Sequence, residues 1–394
     1  MSTYSLDQRT AHWTELKLQF NSIFEAAPTL YRAPGRVNLI GEHTDYNDGF
    51  VMPAAIDLSC CVAIAPRKDR QLVVHSVNFN ETVEFSLNDG KMETTDHWSD
   101  YIRAVAWVLE HAGYKLRGAE IAILSNIPIG AGLSSSAGIE VATAYALLET
   151  SGLQVERTEL AKLCQKAEND YVGARCGIMD QFIACHAQAG HAIMLDCRSL
   201  NYRTLPLKSD VCLLISNTMV DHHLAGGEYN ARRAECEEGV RRLASVLPGI
   251  ESLRDVNMAE LDRHRDRLTD VLYRRCRHVV TENLRVTEAT AALQRDDLNS
   301  FGRLMADSHR SLRDDYEVSC FELDVMVEIA VKQEGVYGSR MTGGGFGGCT
   351  ISLVKEESIA QLQRTIAEAY EEKTGRRPEI YVCSAAEGVG IAKC

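Results

Sequence analysis

Hydrophobic positions along the first 220 residues come in short blocks that switch between strand and helix patterns. Runs rich in β-branched residues and bounded by charged turns predict strands, and apolar residues at helical spacing, such as Ile102, Val105 and Leu109, predict helices. The predicted strands are 51–65, 71–75, 120–124, 192–195 and 211–215, and the predicted helices are 101–112, 136–150 and 156–171. A charged turn is predicted at 198–210. The first half of the chain is therefore expected to be mixed α/β.

The pattern changes near residue 228. From there to about residue 312 the apolar positions follow the helical period in several amphipathic pieces, and later the chain returns to strands at 335–339, 349–354 and 379–383 with a helix at 360–374. A chain of 394 residues is too long for one core and suits two domains that share a cleft. We predict an α+β protein with an N-terminal domain of residues 1–205 and a C-terminal domain of residues 206–394.

Charge and composition exclude several kinds of partner. The net charge of −13 disfavours nucleic acid and anionic membranes, and the apolar runs are too short to cross a bilayer. Residues 1–18 are polar and lack the apolar core of a signal peptide. Thirteen scattered cysteines without a C-x-x-C pair argue against a disulfide framework or a zinc ribbon. We expect a cytoplasmic monomer that acts on small molecules.

The densest set of chemical groups lies at residues 35–47, which read GRVNLIGEHTDYN. Each buried polar group needs a partner, so a core strand would not be expected to carry so many. The composition fits a concave site in which Glu42 and Asp45 accept hydrogen bonds from ligand hydroxyls and Arg36 faces an anion. We therefore expect the ligand to be a sugar, together with a phosphate.

A second motif, PIGAGLSSSA at residues 128–137, separates a predicted strand from a predicted helix. Its glycines allow close approach of an anion, and the N–H groups of the helix N-terminus point at it. The serines could cap the helix, bond phosphate oxygens or ligate Mg²⁺. No Gly-Lys-Ser/Thr follows, so this is not a Walker A loop. Alone, the motif fits a phosphate-binding loop and a serine-capped helix start equally well.

A third motif, MTGGGFGGC at residues 341–349, places five glycines within six residues between two predicted strands. Such a run weakens a sheet and typically marks close backbone approach or several positive φ angles. A bulged hairpin is the structural alternative.

One isolated carboxylate, Asp180, lies in the apolar run GIMDQ that begins at Gly177. It follows Glu168, near the end of a predicted helix. An aspartate in such a place is more often a structural cap than a catalyst. Spacing alone therefore does not assign it a chemical role.

Together these segments resemble the galactokinase family of the GHMP small-molecule kinase superfamily. Residues 35–47 are similar to the galactokinase signature, 128–137 to the superfamily's phosphate loop and 341–349 to its glycine-rich motif, in the same order and at similar separations. The resemblance runs from about Tyr31 to Cys349. It implies a mixed α/β domain followed by a domain on an antiparallel sheet, with the active site in the cleft.

The resemblance also implies a role for individual residues in an ATP-dependent, Mg²⁺-requiring phosphorylation of D-galactose at its C1 hydroxyl. Asp180 would accept the hydroxyl proton, and Arg36 would contact both Asp180 and the transferring phosphate. The implied binding residues are, for the sugar, Glu42, His43, Asp45, Gly177 and Tyr229; for the phosphates, Gly130, Ala131, Gly132, Leu133, Ser134, Ser135 and Ser136; for adenine, Trp98 and Tyr101; and for Mg²⁺, Ser136 and Glu168.

Asp221 departs from the family pattern, in which a Lys or Arg is expected eight residues before Tyr229. An aspartate cannot neutralise nucleotide phosphate, so weaker ATP affinity is expected. The segments around Trp98 and Tyr101 also differ from the commoner family pattern.

Two other functions compete with galactose phosphorylation. A kinase for N-acetylgalactosamine or L-arabinose would share the motifs, although N-acetylgalactosamine kinases are usually longer. A non-catalytic galactose sensor would be shortened in the serine loop, which is intact here, and Arg36 and Asp180 are both present.

Overall fold

A computed structural model describes residues 6–90, 94–220 and 225–392 of the chain. The helices are α1 Leu6–Phe24, α2 Asp100–His111, α3 Ser135–Thr150, α4 Arg157–Ala167, α5 Met179–His186, α6 Ala225–Leu243, α7 Met258–Arg263, α8 Asp270–Gln294, α9 Leu298–Ser311, α10 Phe321–Ala330 and α11 Ile359–Thr374. The strands are β1 Thr29–Asn38, β2 Phe50–Val51, β3 Pro53–Pro66, β4 Gln71–Ser76, β5 Glu81–Ser86, β6 Ala119–Ser125, β7 His191–Asp196, β8 Tyr202–Pro206, β9 Val211–Asn217, β10 Val336–Thr342, β11 Cys349–Lys355, β12 Glu379–Cys383 and β13 Gly390–Ile391.

The first sheet has six strands in the order β13-β1-β3-β6-β4-β5. Neighbouring strands are antiparallel except β4 and β6, which are parallel. Val62 and Ile64 of β3 belong to the core that includes α2 and α3, whereas Cys61 and Ala63 pack with Phe20 of α1. Helices cover both faces of β3, which explains why this strand is almost continuously apolar.

The second sheet is antiparallel in the order β10-β11-β9-β12. Leu214 of β9 and Val354 of β11 pack against Met326 of α10 and Ile366 of α11. Helices α6 and α8 contribute to a separate apolar cluster, and α9 packs on β10. A small antiparallel sheet, β2-β7-β8, contacts β3 through β7.

The α+β class is confirmed, and the predicted elements recur with small shifts at their ends. The predicted helix 156–171 is α4 followed by a π-helical turn at Glu168–Val172. The charged turn predicted at 198–210 is wrong in part, because residues 202–206 form β8 and pair with β7. A core strand was not expected at residues 35–38, yet these residues end β1, where their polar groups find partners in the loops around them.

The division at residue 205 stays a prediction. The chain passes from the small sheet to the second sheet between β8 and β9, but β13 returns to pair with β1. Among the described residues, none of the helices combines the length and apolar character needed to cross a membrane.

Candidate active site

Two of the three motifs, residues 35–47 and the glycine run, line one cavity of about 410 Å³, and the phosphate-loop motif adjoins it through contacts with Arg36 and Asp180. Residues 35–38 reach it from the end of β1, and residues 39–47 turn beside it. The glycine run connects β10 to β11 on the opposite side. The lining consists of Arg36, Glu42, His43, Asp45, Val172, Gly173, Ala174, Arg175, Cys176, Gly177, Met179, Asp180, Tyr229, Asn230, Gly343 and Gly344.

Arg36 and Asp180 form a two-pronged ion pair at the cavity. Arg36 Nε donates to Asp180 Oδ1 at 2.7 Å and Nη2 to Oδ2 at 2.8 Å. The third nitrogen, Nη1, donates to the carbonyl of Gly132 at 2.6 Å, which ties the pair to the phosphate-loop motif. Burial opposes the charge of Arg36, but the Asp180 carboxylate outweighs it, and the pKa of Arg36 is raised. Arg36 therefore keeps its positive charge beside Asp180.

Ser134 completes this group from the phosphate-loop motif. Its Oγ donates to Asp180 Oδ2 at 2.5 Å, and its φ of 60° is left-handed. The side chain does not cap α3, so the serine-capped interpretation fails for this residue. The start of α3 keeps its N–H groups free of that cap, as an anion site needs.

Glu42 is buried and held entirely by the protein. Its Oε2 accepts from Asn38 Nδ2 at 2.8 Å and Arg340 Nη1 at 2.9 Å, and its Oε1 accepts from Gly343 N–H at 2.6 Å. Burial raises the pKa of Glu42 despite the nearby arginines. This carboxylate links residues 35–47 to the glycine run.

Asp45 has a different setting, with its carboxylate against the backbone of Gly177. A Cβ at position 177 would overlap the Asp45 carboxylate, so this close approach requires glycine. Burial, followed by the charge of Asp180, raises the pKa of Asp45 to about 7. Asp45 is therefore the cavity carboxylate that most needs hydrogen-bond donors from a ligand.

His43 and Tyr229 pack ring to ring at the cavity wall, with 5.6 Å between ring centroids. Both His43 nitrogens have protein partners: Nδ1 meets Tyr46 Oη at 2.8 Å and Nε2 meets the Gly344 carbonyl at 3.2 Å. Tyr229 also contacts the ring of Tyr46 at 5.2 Å.

Ser136 and Glu168 are hydrogen-bonded to each other at the first turn of α3. Gln181 Nε2 donates to Glu168 Oε2 at 2.6 Å and to Glu140 Oε2 at 3.2 Å. Glu140 Oε1 is buried, with no hydrogen-bond partner in the described part of the chain. Burial raises the pKa of both glutamates, and Glu168 raises that of Glu140 further while Asp180 raises that of Glu168.

This cluster fits a divalent cation. The described residues contain no group of three or more His, Cys, Asp or Glu side chains that could hold a metal alone. Mg²⁺, however, takes hard oxygen ligands and typically combines one or two protein groups with water and phosphate oxygens. The Ser136 hydroxyl and the Glu168 carboxylate, which lie beside the buried Glu140, supply oxygen ligands of this kind.

Neither Trp98 nor Tyr101 belongs to the cavity lining. Trp98 stacks on Phe79 at 6.2 Å between centroids and donates from Nε1 to Glu81 at 2.9 Å. Burial and the charges of Glu168 and Glu140 raise the pKa of Tyr101, which places it beside the acidic cluster. Asp221 lies outside the described residues.

Sequence reasoning missed three residues at the site. Arg340 and Asn38 hold Glu42, and Asn230 brings into the cavity wall a buried Oδ1 that has no hydrogen-bond partner among the described residues. Arg340 was detectable in principle, because it is a charged residue in an apolar strand directly before the glycine run. Asn230 follows Tyr229 and was visible only as part of the same run.

Comparison with known families agrees with this geometry. A galactokinase galactose-binding signature matches residues 18–66, the GHMP kinase N-terminal domain matches residues 100–188 and the GHMP kinase C-terminal domain matches residues 289–372. Fold and site thus define a GHMP-type small-molecule kinase.

Individual relatives indicate which family of GHMP kinases the chain belongs to. A galactokinase of Roseiflexus sp. (strain RS-1) is 48% identical over 378 residues, covering 95% of this chain and 96% of the relative. One from Chloroflexus aggregans is 47% identical over 371 residues, covering 94% and 95%. The crystal structure of Lactococcus lactis galactokinase complexed with galactose superposes with a TM-score of 0.93 at 38% identity, covering 96% of this chain and 100% of that one. The chain belongs to the galactokinase family.

The fold is also similar to that of more distant kinases. The Methanococcus jannaschii mevalonate kinase superposes with a TM-score of 0.65 at 21% identity, covering 92% of this chain and 99% of that one. At that identity the likeness concerns the fold alone.

Proposed function

We propose that the protein transfers the γ-phosphoryl group of ATP to the C1 hydroxyl of D-galactose, giving galactose 1-phosphate and ADP. The observation that carries this proposal is the position of Asp180. Its carboxylate lines the cavity and is held by Arg36 and by Ser134 of the phosphate-loop motif. A reacting hydroxyl and an incoming phosphate can therefore meet at one carboxylate.

The sugar would lie against Glu42, His43, Asp45, Gly177 and Tyr229. Asp45, whose carboxylate lies against the backbone of Gly177, would accept hydrogen bonds from sugar hydroxyls. Tyr229 offers an apolar face and a hydroxyl. Glu42 accepts three hydrogen bonds from the protein, which leaves an acceptor site on Oε1 for a sugar hydroxyl.

Asp180 would orient the C1 hydroxyl and accept its proton. An ionised aspartate is a weak base, but phosphoryl transfer has a loose transition state in which the proton leaves late. Positioning then contributes more than basicity. Arg36 would hold Asp180 in place through two hydrogen bonds and face the charge that develops on the transferring phosphate.

The phosphates would lie on residues 130–136 and the N-terminus of α3, where backbone N–H groups and the helix dipole favour anions. Trp98 and Tyr101 would border the adenine. Mg²⁺ would be held by Ser136 and Glu168, and when bound it supplies charge neutralisation for the phosphates. Glu168 is positioned for this role by Gln181 and Ser136.

A coupled ADP-release assay tests the reaction and the sugar together. Mg-ATP is supplied with galactose, N-acetylgalactosamine, L-arabinose, glucose or no sugar, and galactose is expected to give the strongest turnover. Turnover confined to another sugar would assign the enzyme to a related kinase. No turnover on any sugar, with galactose still bound in calorimetry, would identify a sensor.

Asp180→Asn tests the catalytic assignment. We expect kcat to fall by about 10²-fold or more, as on loss of a proton-accepting group, with galactose binding still measurable. Asp196→Asn is a matched control: it weakens another partly buried Arg–Asp pair, with Arg254, outside the cavity lining. A kcat for Asp180→Asn within a few-fold of the control would make Asp180 structural.

A further inference from the structure

A continuous chain of hydrogen bonds runs from α6 to the glycine run through the sugar-binding segment. The Cys236 thiol meets Tyr316 Oη at 3.2 Å, Tyr316 Oη meets Tyr46 Oη at 2.8 Å, and Tyr46 Oη meets His43 Nδ1 at 2.8 Å. His43 Nε2 then meets the carbonyl oxygen of Gly344 at 3.2 Å. These hydrogen bonds thus connect four side chains, from three parts of the sequence, to one backbone carbonyl of the cavity wall.

The last bond fixes the direction of the others. A carbonyl oxygen only accepts, so His43 Nε2 must carry its hydrogen. In a neutral imidazole Nδ1 is then an acceptor, and it accepts a hydrogen bond from the Tyr46 hydroxyl. Tyr46 in turn accepts from Tyr316, and Tyr316 accepts from the Cys236 thiol. Each group except the two ends both donates and accepts.

The opposite direction needs a charged imidazolium at His43, and its surroundings disfavour that charge. His43 is 4% exposed and Tyr316 is fully buried. Burial, followed by the nearby His278 and the cations Arg232 and Arg340, lowers the pKa of His43 to about 3. A single tautomer with hydrogen on Nε2 therefore satisfies the geometry at neutral pH.

Further hydrogen bonds anchor Cys236 and Tyr316, the first two members of this hydrogen-bond chain. Asn47 hydrogen-bonds to the Cys236 thiol and also donates to the His43 carbonyl at 3.0 Å. The segment 43–47 therefore folds back onto Cys236, where the series of hydrogen bonds begins. Tyr316 ends a π-helical turn, and Arg232 Nε donates to its carbonyl at 2.8 Å. The hydroxyl of Tyr316 is consequently held in place by its own backbone.

The far end of the chain acts on the sugar cavity. Gly344 lines the cavity with Tyr229, and a Cβ at Gly344 would lie 3.7 Å from the Tyr229 ring. The bond from His43 to the Gly344 carbonyl therefore sets how closely the glycine run approaches Tyr229. Both His43 nitrogens are used in doing so.

We propose that Tyr46, Tyr316 and Cys236 are positioning residues for the sugar site, which fix His43 as the Nε2–H tautomer so that it holds Gly344 at the cavity wall. His43 then acts on the cavity wall through Gly344. The inference deepens the proposed function and rests on galactose binding in this cavity.

Tyrosine-to-phenylalanine variants test the chain by galactose calorimetry. Tyr46→Phe removes the donor to His43 directly, and we expect the galactose Kd to rise about tenfold, the size of one lost buried hydrogen bond. Tyr316→Phe acts one step away and should raise Kd about threefold. The effect of Tyr316→Phe should vanish in the Tyr46→Phe background, because the chain is then already cut. Tyr370→Phe is the control: it also loses one buried hydrogen bond, to the Thr218 carbonyl, in a separate cluster.

The inference is wrong if Tyr46→Phe binds galactose as tightly as Tyr370→Phe does, or if the effect of Tyr316→Phe persists unchanged in the Tyr46→Phe background. Nitrogen-15 NMR of labelled histidine in the unmutated protein gives a second measurement that needs no variant. A neutral His43 protonated on Nε2 at pH 7 is expected, and an Nδ1–H tautomer or an imidazolium would overturn the proposal. An unmutated protein that binds no galactose would instead refute the proposed function itself.

Discussion

At the scale of single residues, the cavity combines three carboxylates with unequal access to positive charge. Asp180 takes two nitrogens of Arg36, and Glu42 takes one of Arg340. Asp45 has no such partner in the described part of the chain and lies near both other acids. Its carboxylate is therefore the one whose protonation should respond most to a ligand.

Galactose affinity should depend on pH through Asp45. Because burial and the Asp180 charge raise the pKa of Asp45 to about 7, its contribution to the stability of the free protein is fully present below its ordinary pKa of 3.8 and is lost as pH rises through 7. Galactose hydroxyls donate to the ionised form, so the galactose Kd should fall as pH rises from 6 to 8. Calorimetry across this range checks it. Asp45→Asn should bind more weakly with a flat profile, and a flat profile for the unmutated protein would contradict the prediction.

At the scale of elements, the phosphate-loop motif and the glycine run touch backbone to backbone. Gly343 has a φ of 88°, and a Cβ on it would lie 2.8 Å from the carbonyl oxygen of Gly132. The Gly343 N–H also donates to Glu42. The glycines of both motifs therefore serve this contact as well as any ligand.

Gly343→Ala should weaken ATP binding. The new methyl group pushes the phosphate loop away from the glycine run, and we expect the KM for ATP to rise by about tenfold, a loss similar to that of one good contact. Gly375→Ala is the matched control, because Gly375 also has a positive φ, of 69°, but open space around its Cβ. Both variants share the backbone strain of about 1 kcal/mol that alanine has at a positive φ. Similar KM values for ATP in steady-state assays of the two variants would show that this strain, and not the contact with Gly132, accounts for the change.

The sequence predicted the elements better than it predicted their contacts. Residues 120–124 and 136–150 stood out by local periodicity, and both lie in the structure where expected. The strand Thr29–Asn38 was missed because the polar groups at its end find partners far away in the chain: the Arg36 side chain pairs with Asp180, and the Asn38 carbonyl accepts from Arg340. Local patterns contain no record of such partners. The same limit hid the partners of Arg340, although the residue itself stands out in its strand.

At the scale of the whole molecule, Arg340 joins parts that are distant in sequence. This fully buried side chain donates from β10 to Glu42 at 2.9 Å and to the carbonyl of Asn38 at 3.0 Å, and it lies 4.0 Å from Glu282 of α8. Glu282 also accepts from the N–H of Gly41 at 2.9 Å. The sugar-binding segment is thus fixed between the two sheets by one arginine and two acids.

Arg340→Met should destabilise the protein strongly. Methionine fills similar space but leaves Glu42 without its cation, and breaking a buried pair from one side costs about 3–5 kcal/mol. Arg67→Met is the control, since it breaks partly exposed pairs with Asp69 and Glu120 and should destabilise the protein far less. Urea unfolding of both variants measures the difference. Because Glu42 also lines the cavity, adding galactose should recover less stability in Arg340→Met than in Arg67→Met. An equal loss of unfolding free energy in the two variants would mean that the buried Arg340 stabilises the protein no more than the partly exposed Arg67 does.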